Sequence, residues 1–79
     1  MARRRVTLHF SPDLVGEPVI HRLGHEFSVV TNIRRADVSR DEGWVMLEVL
    51  GEPDEIDRGL RFCEELGVRV DPVEGDLAV

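Results

Sequence analysis

The chain has 79 residues, 10 of them arginine and none lysine, 16 acidic residues and a formal charge of −6. That length holds one small domain, and a domain of this size buries only about 60% of the surface its unfolded chain exposes, so most apolar residues must serve the core. The acidic balance argues against a nucleic-acid or anionic-membrane footprint, and 42% hydrophobic residues is too many for a disordered chain.

Residues 4–10 alternate, with Val6, Leu8 and Phe10 on one face and Arg5, Thr7 and His9 on the other. That period of two predicts a half-buried strand, and Ser11-Pro12-Asp13 ends it. Gly16-Glu17-Pro18 opens the next element. Val19, Ile20, Leu23 and Phe27 then follow at helical spacing, which predicts a helix near 17–26 with Pro18 in its first turn.

The stretch 28–39 is rich in β-branched residues and predicts a second strand. Its alternation fails at Arg34-Arg35, which implies a bulge or a strand running past the core edge. Asp41-Glu42-Gly43 predicts a tight hairpin turn with Gly43 at positive φ. In residues 44–50, Val45, Leu47 and Val49 share one face, and Trp44, Met46, Glu48 and Leu50 the other.

Gly51-Glu52-Pro53 starts a second helix with Asp54, Glu55 and Asp57 in or near its first turn, where negative charge complements the helix dipole. Ile56, Leu60, Cys63 and Leu66 form its apolar stripe, with Gly59 on the same side and Gly67 placed to terminate it. Val68-Arg69-Val70 alternates into a last strand that Pro72 confines to an edge. Residues 1–3 and 74–79 are expected to be flexible termini around a domain spanning 4–73.

The order is β-α-β-β-α-β, and Gly-Glu-Pro recurs at 16–18 and 51–53 ahead of each helix. That repeat predicts an α+β, ferredoxin-like βαββαβ fold, a four-stranded antiparallel sheet with two helices on one face. The other face is left open. It should carry Arg5, Thr7, His9, Trp44, Met46, Glu48, Arg69 and Asp71. Trp44 beside Met46 is unusual on an open face. Packing against the chain's own tail or loop, a homodimer or partner surface, and a base-stacking platform are the alternatives. Gly43-Trp44-Val45-Met46-Leu47 lacks the aromatics of RNA-recognition strands and follows Asp41-Glu42, which weighs against nucleic acid.

Other chemistry finds little support. Cys63, the sole cysteine, makes neither a disulfide nor a CxxC site and reads as a small core residue. His21 and His25 have a spacing that can hold zinc, but no third ligand is evident beside them, so no metal site is expected. No general base is evident for Ser11, and no enzyme activity is expected. No signal-like or membrane-spanning apolar run occurs, so no membrane association and a cytoplasmic location are expected.

The sequence resembles the NIL domain family over Val6–Val73. The likeness rests on Glu17-Pro18-Val19-Ile20 opening the first helix, Asn32-Ile33 in the second strand, and the Gly43/Gly51 frame of the third. Arg34 stands where the naming Asn-Ile-Leu motif has leucine. The resemblance implies one of two settings. One is a regulatory domain of methionine importers that binds methionine between two copies. The other is a partner of ferredoxin-containing proteins in sulfur assimilation or homocysteine formation.

No ATPase motif and no cluster cysteines are present, so a stand-alone, non-catalytic module without cofactor is expected. It would bind methionine or a related sulfur amino acid at a homodimer interface. The alternative is an interaction subunit of a sulfur-metabolism system with no ligand of its own. By the resemblance, Asn32 matches a ligand-binding position; with Arg34 for a carboxylate, and Ile33 and Met46 able to line an apolar thioether pocket, Asn32, Ile33, Arg34 and Met46 are the ligand-binding candidates, with Trp44, Met46 and Arg35 at the interface. The Asn32 amide could instead bond within its own hairpin. Arg34 or Arg35 could hold a ligand carboxylate, lie in solvent or pair with acids across a dimer. The charge is two-signed. Residues 1–40 hold 7 arginines and 4 acids, a balance of +3, and residues 41–79 hold 3 arginines and 12 acids, a balance of −9.

Overall fold

Alternation of apolar and polar residues sets the architecture. In the computed structural model, which describes residues 1–73, the elements are β1 (Ala2–Phe10), α1 (Val19–Glu26), β2 (Val29–Val38), β3 (Gly43–Gly51), α2 (Pro53–Glu65) and β4 (Arg69–Pro72). The strands form one four-stranded antiparallel sheet in the order β2-β3-β1-β4. This is the α+β, ferredoxin-like arrangement that the repeat predicts.

One sheet face makes the core. Val6 and Leu8 of β1 and Val45, Leu47 and Val49 of β3 are buried against Val19 and Leu23 of α1 and Ile56, Leu60 and Cys63 of α2. Each large aliphatic side chain removed from water there contributes roughly 1.5–3 kcal/mol. Cys63 sits wholly inside this cluster, and burial pushes its thiol up to about 11.

The helix ends follow local rules. Pro53 occupies the first turn of α2, and the Ile56 amide bonds the Glu52 carbonyl at 3.0 Å. At the other end Gly67 takes φ +102°. Its amide bonds Glu64 O at 3.0 Å while the Val68 amide bonds Cys63 O at 3.0 Å, the paired bonds of a Schellman stop. The Glu55 carboxylate of α2 accepts the Ser28 backbone N–H at 2.9 Å and pairs with Arg58. The Ser28 bond first, and Arg58 second, hold this carboxyl below its ordinary value against the opposing effect of burial.

The structure corrects several sequence expectations. Residues 2–3 are not a flexible terminus, because Ala2 and Arg3 pair with Gly51 and Leu50 in the sheet. The second terminal segment, 74–79, lies outside the described residues. Helix α1 begins at Val19 rather than 17, with Pro18 as its cap residue. Gly43 does not adopt positive φ. The turn is closed by Ser39 instead, whose N–H and hydroxyl donate to Glu42 O at 2.8 and 2.9 Å, and Gly43 enters β3 opposite Val38 and Phe10. The bulge at Arg34 is present as a register shift between Ile33 and Arg35.

Candidate functional site

The open face is built in rows across the sheet, and each row follows from strand register. Asn32 of β2 lies opposite Glu48 of β3, which lies opposite Arg5 of β1. In the next row Arg35 faces Met46, Met46 faces Thr7, and Thr7 faces Asp71. Beyond it Asp37 faces Trp44, Trp44 faces His9, and His9 faces Arg69. All the residues assigned to this face from alternation are there.

The bulge decides which arginine joins them. With an unbroken register Arg34 would stand opposite Met46, and Arg35 would fall on the helix side. The shift at Arg34 gives that place to Arg35. Ile33 lies opposite the core residue Leu47 and so belongs to the helix side, although it is 55% exposed. The sheet therefore separates Ile33 from Met46, and the two do not line one pocket. Asn32, Arg35, Met46 and Trp44 do share a face.

Charge is organised sharply on this face. Glu48 is 7% exposed, with Arg5 Nη2 at 3.5 Å and Arg3 Nε at 3.8 Å. A carboxylate withdrawn from water this far requires such cations. Toward the β4 edge of the same face, Asp71 lies 3.1 Å from His9 Nε2 and from Arg69. Six arginines (Arg3, Arg4, Arg5, Arg22, Arg58 and Arg69) stand in ion pairs. Arg34 and Arg35 have no such partner among the described residues, and neither does the Asn32 amide have a hydrogen bond there. Strand β2 is an outer strand, exposed without interruption from Asn32 to Val38. Among the described residues, the exposed large apolar residues other than Met1 all lie on it: Val30, Ile33 and Val38.

Two recesses flank the edge. One, of about 470 Å³, opens around Trp44 and is lined by His9, Asp37, Glu42 and Arg69 among others. The second, of about 200 Å³, is an apolar cleft on the helix side between Val19 and Ile20 of α1 and Phe10, Val38 and Val45 of the sheet. Alternation places those three strand residues on the inner face. The cleft opens beside α1, only eight residues long, where Val38 is exposed and Phe10 half-buried while Val45 is buried at its base. Sequence reasoning missed it, and also missed the Glu48 pairing. That pairing was within reach once the fold order set β1 beside β3 and alternation put Arg5 and Glu48 on one face. His21 and His25 stack at 5.6 Å between ring centroids, and among the described residues no group of three or more potential ligands is placed for a metal. No helix there is long and apolar enough to cross a membrane.

Comparison with known proteins agrees with this architecture. The C-terminal domain of an ABC transporter ATP-binding protein from Enterococcus faecalis shares the fold with a TM-score of 0.78 at 20% identity, over 91% of this chain and 84% of that one. No curated protein sequence matches. The family model for the NIL domain matches residues 4–72. That span runs from within β1 through the bulged edge strand to the end of β4, and on this match the chain belongs to the NIL domain family.

Proposed function

We propose that the chain is a non-catalytic regulatory module that binds methionine or a related sulfur amino acid where two copies meet. The observation that carries this reading is the edge strand β2. It presents Asn32 and Arg35 beside Met46 on the open face, with polar groups that nothing among the described residues satisfies. An amide that both donates and accepts, a guanidinium that can grip a carboxylate, and a thioether floor suit an amino acid with a sulfur-containing side chain. An outer strand with exposed Val30, Ile33 and Val38 and free backbone groups is a template for a second copy. The match to the NIL family and the fold shared with a transporter's ATP-binding protein support a regulatory role, with a transport system as its setting.

Thermal unfolding with and without ligand tests the reading. At about 100 times its dissociation constant a ligand adds roughly 2.7 kcal/mol, which raises the midpoint of a domain this small by about 10 °C or more. A rise with L-methionine, homocysteine or cysteine is expected. No rise at millimolar concentrations of any of them contradicts ligand binding and favours the interaction subunit that docks through Trp44 and Met46. Light scattering that gives a monomer at high concentration, with and without the amino acid, contradicts the shared site.

A further inference from the structure

The recess around Trp44 has chemistry of its own, separate from the Asn32 row. Its floor is a half-buried indole, set by register between Asp37 on one side and His9 on the other. The wall toward β4 is already neutralised, because Asp71 there is shared between His9 and Arg69 at 3.1 Å each. The wall toward β2 is not. Asp37 and Glu42 line the recess, and neither carboxylate has an ion-pair partner among the described residues.

Elsewhere the molecule covers aromatic rings with cations. Arg22 lies 4.9 Å from the Phe62 centroid and Arg58 lies 5.6 Å from that of Phe27. Tryptophan offers a stronger face to a cation than phenylalanine does. Yet among the described residues no cation lies over Trp44. An aromatic floor, two uncompensated carboxylates on one wall and about 470 Å³ of open space form a receptor with its charge missing.

We infer that this recess takes an organic cation, a guanidinium or alkylammonium group, which stacks on Trp44 and is held by Asp37 and Glu42. Arg69, on the β4 wall, is already paired with Asp71, and neither Arg35, two residues from Asp37 on the same face, nor Arg40, two residues before Glu42, pairs with either carboxylate among the described residues. Attraction to the two carboxylates is electrostatic and partly exposed, so binding weakens as salt rises.

Trp44 is the only tryptophan and there is no tyrosine, so intrinsic fluorescence reports this recess directly. The test titrates the protein with agmatine at low ionic strength, with sodium chloride at matched ionic strength as the control. The inference expects a saturable change in Trp44 emission with agmatine and none with the salt. Asp37→Asn together with Glu42→Gln should weaken agmatine about tenfold, equivalent to ~1.4 kcal/mol. Both residues are exposed, and an unchanged circular dichroism spectrum confirms that the variant is folded. No saturable change up to tens of millimolar agmatine, or equal affinity in the double variant, overturns the inference. Repeating the titration at several protein concentrations separates the sources of the cation. Agmatine affinity that falls as protein concentration rises marks a second copy's arginine as the occupant, and constant affinity marks a free small cation. Failure here leaves methionine binding at Asn32 untouched, because that ligand is tested by its own thermal shift.

Discussion

Glu48 and Arg5 face one another across β3 and β1, with 3.5 Å between carboxylate and guanidinium. Glu48 is the one buried charged residue among those described, and it is withdrawn into a face that an isolated antiparallel sheet would leave to water. The long stems of Arg3 and Arg5 cover the sheet around it, so the pair works through packing as well as charge. Removing the carboxylate leaves two cations crowded over an apolar surface.

Glu48→Ala is therefore expected to lower unfolding stability by about 1–2 kcal/mol, a figure kept modest because both arginines are partly in solvent. Urea denaturation measures it. An unchanged midpoint would show that the pairing is incidental.

Gly59 of α2 faces Leu23 of α1. A Cβ there would stand 2.6 Å from Leu23 Cδ1 and 3.6 Å from the Phe27 ring. Leu23 is fully buried, so its terminal methyl must move within a packed core. Alanine favours a helix over glycine by about 1 kcal/mol, but overpacking costs roughly 1–3 kcal/mol. Gly59→Ala is expected to be net destabilising, and thermal denaturation decides the sign.

The Glu55 carboxyl is held below its ordinary value of 4.5, chiefly by the Ser28 amide and further by Arg58. A depressed folded-state pKa contributes stability above the unfolded value and loses it as pH falls through the folded one. Glu55→Gln should thus be less stable than the native chain at neutral pH, with the gap closing in acid below the carboxylate range. A gap that stays constant with pH would contradict the assignment.

Cys63 gives the opposite window. Its thiol is pushed up to about 11 from an ordinary 9 by burial. Between those values the unfolded chain releases a proton that the folded chain retains, so stability falls as pH rises through that range. Replacing Cys63 with serine should abolish this alkaline slope. The native thiol should also resist a thiol reagent at neutral pH and react promptly after denaturation.

Much of this was legible in the sequence, because period-two and period-3.6 patterns report burial directly. Val6, Leu8, Val45, Leu47 and Val49 lie on the core face as their alternation requires, and Ile56, Leu60 and Cys63 form the predicted stripe. The repeated Gly-Glu-Pro revealed the symmetry of the fold. What escaped depends on register, which local pattern does not fix. A single extra residue at Arg34 moved Arg35 opposite Met46, and Ile33 stayed on the helix side. The turn chemistry also misled. Ser39 closes the hairpin through its own side chain, so Gly43 needed no positive φ. The family resemblance pointed to Asn32 and side-chain chemistry to Met46, and the rows of the sheet give the two a common face.

Calorimetric titration of L-methionine into the native chain and into Asn32→Ala tests the central claim most directly. Asn32 is exposed on an edge strand, so the substitution leaves the core intact. The account predicts saturable binding by the native chain that is lost, or weakened by about tenfold or more, in the variant. No binding by the native chain, or equal binding by both, would contradict it.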